Sequence, residues 1–127
     1  MRSTMTIRGR ELRVSPPALL GRIRRLAALW SRSEAEPHLR LAAVGAILGE
    51  HSPDLPDPRA YGHDLIDYGD DVLEQVGLHA GSTAEMVEAM TIACELLVES
   101  IDRLPSAEAV EDTADFSTAP TADRTPT

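Results

Sequence analysis

The chain has 127 residues, enough for one domain with a single modest core. Aromatic residues make up 3% of it, so that core must be built from Leu, Ile, Val, Ala and Met, which suits packed helices and argues against a β-sandwich. The net charge of −9 joins a basic half to an acidic one: residues 1 to 50 carry nine Arg against four acids, residues 51 to 127 three Arg against seventeen. Lys is absent, so every side-chain cation at neutral pH is a guanidinium, suited to forked pairing with carboxylate or phosphate. Cys94 is the only cysteine, which excludes an intramolecular disulfide and a cysteine-only zinc site. Within an apolar helical pattern it reads as a small buried hydrophobe. Gly21, Arg22, Arg24 and Arg25 interrupt Ala18 to Trp30, where a secretory signal needs an unbroken apolar run. No stretch approaches the ~20 apolar residues that cross a bilayer. A cytosolic protein is expected.

From the start of the chain, Thr4 to Ser15 (TMTIRGRELRVS) alternates apolar and polar residues and predicts a β-hairpin with Gly9 in the turn. Ser15-Pro16-Pro17 ends it, with Ser15 as N-cap and Pro16 at the first position of a helix over residues 16–31. Leu19, Leu20, Ile23, Leu26, Ala27 and Trp30 recur on one face of that helix, with Arg22, Arg24, Arg25 and Arg32 on or near its outer side. Clustered Arg can neutralise phosphate, which keeps a nucleic-acid-associated regulator open; pairing with the chain's own acids is the default.

Ser33 and Glu36 have capping-box spacing ahead of Pro37. His38 to Gly49 is apolar almost all round and too short for a membrane, which predicts a buried central helix with Ala42, Gly45, Ala46 and Gly49 admitting close neighbours. His51 to Ala60 holds three prolines and reads as a rigid connection, with Asp57-Pro58 able to open the next helix. Tyr61 to Gly77 (YGHDLIDYGDDVLEQVG) predicts an amphipathic helix with Leu65, Ile66, Val72, Leu73 and Val76 inward, an acidic opposite face, and Gly62 and Gly69 a heptad apart.

Leu78 to Gly81 reads as a turn, and Ser82 with Glu85 as a capping box opening the longest helix. Met86, Met90, Ala93, Cys94, Leu97, Ile101 and Leu104 form its expected core face, and Pro105 ends it. A short polar helix over 106–115 with Phe116 as anchor, then a disordered tail over 117–127, complete the expectation. The fold class is mainly α: a single domain over residues 1–116, with four or five helices behind a short N-terminal hairpin.

The His63-Asp64 pair, with Asp67, Asp70, Asp71 and either His51 or His79 in possible reach, raises a metal-dependent hydrolase. The chain lacks the long converging helices of that scaffold and the Glu-x-x-His motif of di-metal bundles, so the acids read as a solvated face and no metal or cofactor is expected. No nucleophile elbow, phosphate loop, zinc-protease or dinucleotide motif occurs, and an enzyme is not expected. His38, His51, His63 and His79 fall at helix ends or in loops, where a surface position is the default. Residues 39–48 are too apolar to serve as a DNA-recognition helix.

The order of features is more specific than any one of them. A strand pair (TIRGRELRV), a helix, an Ala-rich buried helix, a Pro-bearing loop, D-x-x-x-YG-x-x-V-L from Asp64 to Leu73, a glycine turn and an amphipathic helix ending near LP-x-x-x-x-V resemble small bacteriophage tail-cassette proteins of the tail assembly chaperone type. The resemblance runs from about residue 6 to 116 and carries no catalytic signature. It implies a non-enzymatic helper in the host cytoplasm, or attached to the virion, that binds the tape-measure protein or the tail-tube subunit. The polar, proline-containing C-terminal tail departs from that pattern. A helper of this kind needs an exposed apolar or charged groove, for which Met86 and Met90 with the acids Asp67, Asp70 and Asp71 are the candidate partner-binding residues, core packing being the default for the two methionines. Nucleic acid and membrane are not expected partners, and a homo-oligomer is compatible with the sequence.

Overall fold

A computed structural model describes residues 2–17, 19–62 and 64–103. Over the described residues the chain is mainly helical, with four α-helices behind a short antiparallel hairpin. The hairpin pairs β1 (Thr4–Ile7) with β2 (Arg10–Arg13), Met5 opposite Leu12 and Ile7 opposite Arg10. Its two turn residues, Arg8 and Gly9, both have positive φ, 51° and 80°, as a type I′ turn requires. Such a ribbon is marginal alone. Here alternation turns Met5, Ile7 and Leu12 onto one face, and all three are buried in the common core.

Helix α1 spans Leu20–Ala35, four residues later at each end than the spacing predicts. Pro17 pushes Pro16 out of the helical region, so the helix starts later with Leu19 at its N-cap position, and the Ser15 amide donates instead to the His51 carbonyl. Ser33 does not cap either: its Oγ donates back to the Trp30 carbonyl at 2.6 Å and the helix runs on until Pro37 stops it. The inward face is Ile23, Leu26, Leu29 and Ser33, while Leu19, expected inside, is 63% exposed.

A 3-10 turn, Pro37–Leu39, leads into α2 (Arg40–Glu50), in which every residue from Ala42 to Gly49 is buried. This is the central element, packed by α1, by α3 (Leu65–Val76) and by α4 (Thr83–Asp102). Between α2 and α3 the backbones touch. A Cβ added to Gly69 would overlap the Ala42 carbonyl, one on Gly45 the Gly69 carbonyl, and one on Gly49 the Tyr68 hydroxyl. The glycines thus set how closely the two helices cross.

The connection between them is held by Tyr68, fully buried, whose hydroxyl donates to the Pro56 carbonyl at 2.6 Å. Asp57 accepts from the Arg59 amide to open a 3-10 turn, Pro58–Tyr61, and Gly62 follows at φ 62°. Asp64 caps α3 by accepting from the Asp67 amide, and Gly77 closes it in the left-handed conformation. Tyr68, Gly69, Val72, Leu73 and Val76 are its buried residues. After a 3-10 turn at Leu78–Ala80, Ser82 and Glu85 form the expected capping box of α4. Arg8 reaches this junction from the hairpin, donating through Nη1 to the Gly77 carbonyl at 2.6 Å and through Nε to Glu85 at 3.2 Å.

The inward face of α4 is Ala89, Ile92, Ala93, Leu96, Leu97 and Ser100. That corrects two positions expected in the core: Cys94 is exposed and Ile101 is 44% exposed. Two apolar seams run along this helix at 3–4 spacing. The one containing Ser100 turns inward, where the Ser100 hydroxyl meets His51 Nε2 at 2.6 Å. The expectations at Leu104, Pro105, residues 106–115, Phe116 and the tail lie outside the described residues, as does His63.

Candidate partner-binding surface

The acidic face of α3 does not converge on a point. Asp64 is occupied as the helix cap, and Asp67, Asp70 and Asp71 are exposed along successive turns. Asp64 lies close enough to Asp67 to raise the Asp67 carboxyl above its ordinary range, with smaller contributions from Asp70 and Asp71. Asp71 accepts a hydrogen bond from the Tyr61 hydroxyl. Among the described residues no group of three or more His, Cys, Asp or Glu is placed to hold a metal ion.

The histidines divide differently from expectation. His38 and His79 are exposed, but His51 is completely buried, contrary to the surface position expected for it. Its Nδ1 lies 2.7 Å from the Ile47 carbonyl, an acceptor only, so Nδ1 carries the proton and Nε2 accepts from the Ser100 hydroxyl. The sequence position at the end of an apolar helix gave no hint of this, because the partner is 49 residues away.

Six of the eleven described arginines are turned toward the chain's own acids, Arg8 on Glu85 among them. Arg13 forks onto Asp54, Arg32 binds Glu36, Arg59 binds Asp57 and Arg2 binds Glu95. Arg22 meets Glu50, whose side chain is only 3% exposed, at 2.8 Å. Arg40 stacks over the Trp30 ring at 4.2 Å. The guanidinium of Arg13 holds Asp54 below the usual carboxylate range, and the Ser82 amide together with Arg8 does the same for Glu85.

Met86 and Met90, the methionines proposed to meet a partner, are half-buried, and Met90 packs against the core. The exposed apolar side chains of α4 stand elsewhere. Val87 is 55% exposed, Val98 50% and Ile101 44%, with exposed Thr91 and Cys94 between them. Sequence reasoning passed over Val87 and Val98 and assigned Cys94 and Ile101 to the core. The signal that finds them is a second run at spacings of 4, 3, 4 and 3, parallel to the core seam. Comparison of the chain with protein families, curated proteins and solved structures finds no match.

Proposed function

We propose that this chain is a non-enzymatic binding protein that assists assembly of a bacteriophage or phage-like tail in the host cytoplasm by holding a tape-measure or tail-tube subunit. The observation that carries this is the uncovered apolar line on α4. Val87, Val98 and Ile101 stay exposed together, although nearly every other large hydrophobic of the described chain is covered. Exposed apolar side chains aligned on one face of a helix and bordered by polar residues suit contact with another molecule. The tail assignment itself rests on the order of elements read in the sequence.

A nucleic-acid role draws less support, since so many arginines of the basic half are engaged by carboxylates or by Trp30 and offer few free forks to phosphate. Co-expression with candidate tape-measure and tail-tube proteins, followed by size-exclusion chromatography, tests the assignment. Co-elution with one of them is expected; elution alone in every combination would overturn it.

A further inference from the structure

We propose that the exposed face of α4 is a dock for one amphipathic helix of another protein, whose apolar seam is flanked by Arg or Lys. The dock deepens the function proposed above by naming the chemistry of the partner at the same surface. Val87, Thr91, Cys94, Val98 and Ile101 follow one another at intervals of 4, 3, 4 and 3 residues along a continuous helix. That is the 3.5-residue repeat by which one helix packs along another, and at about 1.5 Å per residue it extends about 21 Å, some four turns. A strand or loop would match neither the repeat nor the length.

The sign of the partner's charge follows from the residues beside the line. Glu88, Glu95 and Asp102 each come one position after Val87, Cys94 and Ile101, and all three are exposed. They form a carboxylate row at heptad spacing along one edge. One member already takes a guanidinium, since Arg2 binds Glu95. Basic residues at the flanks of an incoming helix would complete the row.

Occupants from this chain fit less well. Antiparallel self-pairing centred on Cys94 brings Val87 opposite Ile101, but it sets each carboxylate row against its own copy. The exposed face of α1 is basic, yet at heptad spacing it offers only Gly21, Ala28 and Ala35, too small to fill the seam. Residues 104–127 contain five acids and one Arg, the wrong sign.

The test uses the full chain and two labelled peptides of about three heptads with Leu at the seam positions, one flanked by Arg and one by Glu, read by fluorescence anisotropy. The Arg peptide is expected to bind about tenfold or more tightly than the Glu peptide, and Val98→Asp to weaken it about tenfold without changing the thermal midpoint. Glu88→Lys combined with Asp102→Lys is expected to reverse the preference. Equal binding of both peptides, binding of neither, or a free chain that is already a dimer cross-linking through Cys94 would each overturn the dock. A tail-protein complex that survives Val98→Asp removes the dock and leaves the assembly role; Arg-peptide binding that Val98→Asp abolishes, with no tail complex formed, removes the assembly role and leaves the dock.

Discussion

His51 closes α2 with a ring that sees no solvent, and in the neutral ring both nitrogens are satisfied, Nδ1–H by the Ile47 carbonyl and Nε2 by the Ser100 hydroxyl. Burial lowers its pKa, and the nearby Arg103 adds to the shift. The Ile47 carbonyl, Glu99 and the Leu96 carbonyl oppose it. The unfolded chain protonates this imidazole near its ordinary value of 6.5, whereas the folded chain does so only at lower pH. Below that value the unfolded state therefore binds more protons, so the stability His51 contributes is complete above it and is lost as pH falls toward the folded pKa. Urea unfolding at about pH 7.5 and pH 5.5 should show the lower midpoint in acid, within the range where histidine titrates. His51→Gln should be less stable at the higher pH and should flatten the difference; an unchanged difference would assign the acid sensitivity to other groups.

At the scale of single elements, the hairpin depends on a residue that its own turn disfavours. Arg8 occupies a left-handed position that strains any residue with a Cβ, while its guanidinium ties the turn to the end of α3 and the start of α4. Arg8→Ala keeps the strain and drops the ties, so a loss of about 1 kcal/mol in urea unfolding is expected. Arg8→Gly drops the ties and relieves the strain, and should recover much of that loss. Stability unchanged in Arg8→Ala would mean that hydrophobic packing alone seats the hairpin.

The same elements show where sequence was enough. Gly9 in the hairpin turn, the Ser82–Glu85 box and the all-round apolar α2 are local patterns with one solution each, and all three form. The start of α1 was misplaced because a residue preceding proline avoids the helical region, which outweighs the N-cap preference of Ser15. The inward face of α4 was legible only in part: Ala93 and Leu97 are buried as expected, but a second seam, with Cys94 and Ile101, lies beside the first. Choosing between them takes the buried pair of His51 and Ser100, distant in sequence. The candidate surface was missed with it, because the seam left outside is the one proposed here to meet the partner.

Taken whole, the molecule folds its acidic half onto its basic half around α2. Arg2 with Glu95, Arg8 with Glu85, and Arg13 with Asp54 join the two, and being largely exposed they fix orientation more than they stabilise. The stabilising weight lies in the apolar residues of α2 and what covers them. The meeting of α2 and α3 also bears on the time course of folding. These helices are joined by 14 residues, but Tyr68 bonds back to Pro56 within them and Gly45 meets Gly69 only 24 residues along the chain, against 49 between His51 and Ser100, so their contacts are more local than those of α4. The α2–α3 pair is therefore expected to form early, with the hairpin and α4 docking afterwards. Gly69→Ala, which forces the helices apart, should cost about 3 kcal/mol and appear chiefly as slower refolding in stopped-flow measurements. Faster unfolding with unchanged refolding would place the crossing late. If it is early, the two glycines govern the rate at which the chain reaches its native state as well as the spacing of its helices.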